Sequence, residues 1–254
     1  MHIGTIGKFT ALEALRTRLP LTAALILLLA LSASFFVREL AVTEAVRFQV
    51  AFYSALARLS AVFLVAVYVL SSMSREFSDK GLEAVLALDV QRSHYILGKL
   101  CGFLTASAMV ALLLSLPAFA LAPFASAAAW GLSLGLELAL VATLSLFCIV
   151  TFNQLLPASA FVAGFYLVCR SIDAMRLMSA NPVGGSTDWT LQFTHGLVEV
   201  LAYLLPALDQ WTRTAWLADA PPAAAELGLI AAQSAVYLVL LAAAALFDFH
   251  RRSF

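Results

Sequence analysis

The chain has 254 residues, of which 63% are hydrophobic and only 12% charged, against roughly 45–50% and about 25% in a soluble domain. A soluble fold of this size cannot bury so much apolar surface, so the bilayer is its natural solvent. Fifteen basic and fifteen acidic residues cancel, which excludes the basic excess of a nucleic-acid-binding protein.

Before the first long apolar run, Ile6, Phe9, Leu12, Leu15 and Leu19 recur every three to four residues. Lys8, Glu13, Arg16 and Arg18 fall between them. This spacing predicts an amphipathic helix over residues 1–18, lying in the membrane interface. Six apolar runs follow, each near the ~20 residues that a spanning helix needs. They are Leu19–Val37, Val50–Met73, Tyr95–Ala122, Ala127–Phe152, Leu156–Met175 and Leu227–Phe247. The first is read as an uncleaved span, because it is long for a signal-peptide core. The runs are continuous and rich in Leu and Ala, which favour helix, whereas barrel strands would alternate in short segments. The predicted fold is therefore an all-α membrane domain occupying residues 1–254.

Six spans put both termini on one side. That side would carry Lys8, Arg16, Arg18, Arg75, Lys80, Arg92, Lys99, Arg251 and Arg252, including every lysine of the chain. The positive-inside rule makes it cytoplasmic. Cys101, Cys148 and Cys169 lie in apolar runs without CxxC spacing, which points to packing rather than a disulfide framework or a zinc site.

The cytoplasmic segment 74–94 joins spans two and three. Arg75, Lys80 and Arg92 alternate there with Glu76, Asp79, Glu83 and Asp89, and Leu82, Val85, Leu86 and Leu88 supply apolar positions at near-helical spacing. Such a helix docks apolar side chains into a partner while rim charges set register. The run Glu76, Gly81, Leu82, Glu83, Leu86, Arg92, Gly98, Lys99 resembles the coupling segment of ABC-2 type transporter permeases. The chain departs from that pattern at Asp89, in an area where the family commonly has a proline. The tail Phe247-Asp248-Phe249-His250-Arg251-Arg252 is also similar to the family's.

The resemblance implies the membrane subunit of an ABC exporter in a bacterial cytoplasmic (inner) membrane. It implies ABC ATPase subunits and a second permease subunit, in a homodimer or heterodimer, as partners, with a periplasmic accessory protein as an optional addition. Arg75, Glu76, Asp79, Gly81, Leu82, Glu83, Leu86, Arg92 and Lys99 would engage the ATPase. ATP and Mg would be bound by that ATPase, leaving no cofactor and no catalytic residue on this chain. The residues agree: Gly98-Lys99 is followed by Leu100 and lacks the upstream glycine of a P-loop.

Arg58 and Glu137 interrupt spans two and four at similar depth. A charge at the bilayer centre is costly unless paired, so the two form a candidate ion pair. The outer segment 176–226 contains a turn cluster, 181–186, and then an apolar helix over Thr190–Leu205 that is short for a span. That helix is expected to be re-entrant or interfacial, as part of a cap on the translocation path. Two other readings of the chain stay open: an ion-coupled secondary transporter, and a non-transporting membrane scaffold.

Overall fold

A computed structural model describes residues 3–78, 92–180 and 189–251. Among them every regular element is helical. The order is α1 (Ile3–Arg16), α2 (Leu19–Leu40), α3 (Ala45–Ser78), α4 (Arg92–Ser115), α5 (Ala118–Leu121), α6 (Phe124–Phe152), α7 (Leu155–Ala180) and α8 (Trp189–Leu204). A 3-10 turn (Leu208–Gln210), α9 (Ala215–Ala218) and α10 (Ala224–Arg251) complete it. Six helical stretches are long and apolar enough to cross a membrane, and they coincide with the six predicted runs.

Helices α3, α7 and α10 overrun their runs at both ends. At 1.5 Å per residue α3 is about 51 Å long, well beyond a hydrocarbon core of about 30 Å. Its surplus turns hold Arg47 at one end and Arg75 and Glu76 at the other, at the level where charge is cheap. Pro117 stops α4 at Ser115, because it lacks the N–H that would continue the ladder. Asn153 ends α6 in the left-handed region (φ 56°), with its N–H bonded to the Ile149 carbonyl.

The bundle is built around α6, whose most apolar window is 72% buried, against 17% for α2 and for α10. It packs on α3, α4, α7, α9 and α10. Its Trp130, Leu134, Leu138 and Val141 are fully buried. The peripheral helices α2 and α10 instead expose Leu21, Leu25, Leu28, Leu240 and Phe247, as lipid-facing surfaces should.

Side-chain contacts fix which ends lie together. Glu13, Glu76, Tyr95, Lys99, Thr151, Asp248 and Phe249 meet at one end of the bundle, called here the termini face. The far end gathers the starts of α3 and α6 and the segment 205–219. There Arg47 is paired with Asp219 at 3.0 Å, and the Tyr53 hydroxyl donates to the Leu114 carbonyl at 2.6 Å.

The predicted amphipathic helix is present as α1, but the face it packs differs from the expected stripe. Phe9, Leu12 and Leu15 are exposed, whereas Ile6, Gly7, Thr10 and Ala14 are buried. The reason is a pair of glycines on α4, Gly98 and Gly102. A Cβ on Gly98 would sit 2.6 Å from the Ile6 Cβ, and one on Gly102 would sit 2.3 Å from the Thr10 Cβ. Small residues four apart let two helices close to backbone contact. The larger apolar side chains of α1 are thereby turned outward, where an interfacial helix meets lipid.

Candidate functional site

Two polar clusters stand out in an otherwise apolar bundle, one at each end. The first, in the half away from the termini, surrounds Glu137 of α6. Its Oε1 accepts from the Tyr166 hydroxyl of α7 at 2.9 Å, and its Oε2 accepts from the Thr212 hydroxyl at 2.6 Å. The Arg170 guanidinium lies 3.9 Å from Oε1. Glu137 is fully buried, so every one of these partners counts.

What the cluster holds is irregular backbone. After α8 and Pro206 the chain turns into the bundle through Leu208, Trp211 and Thr212, all with no exposed surface. Non-helical backbone at membrane depth survives only when buried in protein with its polar groups satisfied. Arg170 supplies Nη1 to the carbonyls of Leu208 and Trp211, the latter at 2.9 Å. Arg58 donates to the Thr212 carbonyl at 2.9 Å, and the Thr212 N–H donates to Ser133 Oγ, also at 2.9 Å. Trp211 donates its indole N–H to Gln233 of α10 at 3.1 Å. Burial raises the carboxyl of Asp209, in the same turn, above the usual range.

Thr212 adopts φ 49°. For a β-branched residue this is a strained conformation costing about 1–3 kcal/mol. It persists because its N–H and hydroxyl are bonded to Ser133 and Glu137 of α6 and its carbonyl to Arg58 of α3. The segment is thus pinned by α3, α6 and α7 together.

Arg58 and Glu137 do meet in one cluster, but Thr212 stands between them. The ionic neighbour of Glu137 is Arg170, which lies inside the fifth apolar run, Leu156–Met175. Thr190–Leu205 was expected to be re-entrant or interfacial, and it does not enter the bundle. Helix α8 runs on the outside against α7 and exposes Trp189, Phe193, Tyr203 and Leu204, whereas the segment after Pro206 enters. Arg170 was detectable, being an arginine inside an apolar run. Thr212 carried no local signal.

The second cluster lies on the termini face. The Glu76 carboxylate accepts from the Lys99 ammonium and the Tyr95 hydroxyl, and Glu13 Oε2 of α1 lies 3.8 Å from Lys99 Nζ. Tyr95 stacks on Phe249 of α10, and the Thr151 hydroxyl of α6 donates to Asp248 at 2.6 Å. Lys99 was expected to face an ATPase; its side chain is 7% exposed and turned inward instead. Arg75 is exposed, and Arg92 opens α4. Asp79, Gly81, Leu82, Glu83 and Leu86 lie outside the described residues. Gly98 of the same motif forms the contact with α1.

No protein-family profile and no curated protein matches this chain. Function must therefore be argued from these two clusters and the surface between them. Small residues of α6 account for part of that surface: a Cβ on Gly131 would lie 3.0 Å from the Ser115 Cβ of α4, so this glycine serves packing within the chain. Beside it an apolar groove of about 880 Å³ opens between α4, α6 and α10, with Ser133 on its wall.

Proposed function

We propose that this chain is the six-span permease subunit of an ATP-binding cassette exporter in a bacterial cytoplasmic membrane, with both termini cytoplasmic. It works as a dimer with ATPase subunits that bind ATP and Mg in trans. The observation that carries the reading is the ionic node on the termini face. In the sequence, residues 79–91 join α3, which ends at Ser78 just after Glu76, to α4, which starts at Arg92 just before Tyr95 and Lys99. Those three side chains and Glu13 form the node. A push on the loop would reach α1, α3 and α4 together rather than one helix alone. That is what a nucleotide-driven partner requires of the part it grips. Arg75, Asp79, Gly81, Leu82, Glu83, Leu86 and Arg92 are the gripping surface in this reading, and Glu76 and Lys99 are positioning residues behind it. The segment 205–219, pinned across three spans, closes the opposite end of the path.

The test is co-purification. The tagged chain, extracted in mild detergent, is expected to bring down a P-loop ATPase encoded beside it. Glu83→Lys with Leu86→Asp should lower the yield of that complex about tenfold or more, the size of a lost interface anchor. The same chain should insert normally, and Arg58→Ala should leave the complex intact. Recovery of the chain without any P-loop protein would defeat the reading.

An ion-coupled secondary transporter is the second reading, favoured by the buried carboxylate of Glu137. It is the weaker one, because both arginines and Glu137 are already committed to holding the 208–212 backbone. Uptake driven by an imposed proton gradient in vesicles free of ATPase would reverse this order.

A further inference from the structure

On the termini face a pocket of about 450 Å³ lies between the α1–α2 corner and α3. Arg18 and Arg75 stand at its mouth, Thr17 and Tyr68 on its wall, and Leu64 and Val67 deeper along α3. Its size is that of a small-ligand site. We propose that it binds one membrane phospholipid with an anionic headgroup, the phosphate held by Arg18 and Arg75 and an acyl chain lying along Val67 and Leu64.

Two features point to a phosphate. Arg18 and Arg75 are exposed and, among the described residues, neither is paired with a carboxylate. The nearby acids, Glu13 and Glu76, both face Lys99. Among the described residues these three bases face two acids, which leaves one positive charge for a ligand. The mouth also sits at the start of the 22-residue helix α2. Pro20 has no N–H to offer in that first turn, but the helix dipole favours an anion at this end.

The apolar wall selects a lipid over free phosphate. From Arg75 to Leu64 the pocket follows α3 for about 16 Å, passing from interfacial charge into hydrocarbon. Inorganic phosphate would use only the mouth, whereas a phospholipid fills both parts. Basic pockets between spanning helices on one membrane face suit such headgroups. Among the described residues the node leaves these arginines free: Lys99 draws Glu13 and Glu76 away from them. This proposal does not depend on the chain being a transporter.

Native mass spectrometry of the intact chain, released from mild detergent with phosphatidylglycerol or phosphatidylcholine added, tests it. One phosphatidylglycerol should be retained with about tenfold preference. Arg18→Gln with Arg75→Gln should abolish that preference. Tyr68→Phe keeps the ring on the pocket wall and deletes only a hydroxyl closed to the pocket, so it should fold normally and keep the preference. Equal retention of the two lipids, or unchanged retention by the double variant, would overturn the proposal. So would release of the bound species by millimolar inorganic phosphate, which would mark a simple anion site.

Discussion

Arg170→Ala is expected to be the most damaging single substitution in the bundle. The guanidinium reaches the Leu208 and Trp211 carbonyls and stands 3.9 Å from Glu137. Its loss strands two buried carbonyls and removes the nearest countercharge of a fully buried carboxylate. Breaking a buried ion pair from one side costs about 3–5 kcal/mol, which for a chain of this length lowers the melting temperature by on the order of 10 °C. The contrast is Tyr166→Phe, which deletes one neutral donor to the same carboxylate. Interhelical hydrogen bonds in membranes average only about 0.6 kcal/mol, so its melting temperature should fall by only a degree or two.

A double substitution separates the two parts of the loss. If the stranded Glu137 charge dominates, Arg170→Ala with Glu137→Gln will be more stable than the sum of the single losses predicts, because the neutral amide still accepts from Thr212. Strict additivity would mean that the carbonyls of 208 and 211 carry the effect and that Glu137 is a bystander. Thermal unfolding of the four proteins in one detergent decides between these outcomes. The segment 205–219 reports on the same point: with Arg170 gone, trypsin should cut at Arg213 well before the bundle melts, because Thr212 no longer has the support its φ of 49° requires.

Why this cluster was only half legible in the sequence follows from how far its partners are separated. Apolar runs are local, so the six spans could be read directly, as could Arg58 and Glu137 as anomalies inside them. Thr212, by contrast, bonds Ser133 across 79 positions and Arg58 across 154. Nothing near Thr212 in the sequence distinguishes it from an ordinary loop threonine. Hydropathy also left depth open in the outer segment, where Thr190–Leu205 was expected to be re-entrant or interfacial. Thr190–Leu205 is the more apolar piece, but a helix satisfies its own backbone and can rest against lipid. The Leu208–Thr212 stretch cannot, and must find donors inside the bundle. Apolarity therefore located the helices, while hydrogen-bond need located the re-entrant turn. The same logic applies to Lys99: a lysine next to a span looks like a surface charge until Glu76 and Glu13 are brought beside it by α3 and α1. For α1, period alone identified the helix, but not its packed face. Gly98 and Gly102 set that face from 80 to 100 residues away.

Gly102→Leu should detach α1 while sparing the rest of the bundle. A Cβ at this position would meet the Thr10 Cβ at 2.3 Å, whereas ordinary contact begins at 3.4 Å, so α1 must move by about 1 Å before the rest of the leucine is accommodated. No rotamer change relieves the clash, because the obstructing atom is fixed to the backbone of α1. Overpacking inside a sealed core costs about 1–3 kcal/mol, but here a cheaper response exists. Helix α1 is held mainly by α4 and by the Glu13–Lys99 contact, so it can lift off as a local unit. Trypsin should then cut at Arg16 or Arg18 about tenfold faster, while the melting temperature of the remaining helices changes little. Gly164→Leu is the control, since nothing lies within 4 Å of a Cβ there, and its cleavage pattern should match the parent. Lifting α1 also withdraws Glu13 from Lys99 and opens the α1–α2 corner at Arg18. Gly102→Leu should therefore weaken retention of phosphatidylglycerol as well, although residue 102 lies outside that pocket. A leucine at 102 that accelerated cleavage yet left lipid retention intact would show that the corner is held by α2 and α3 alone.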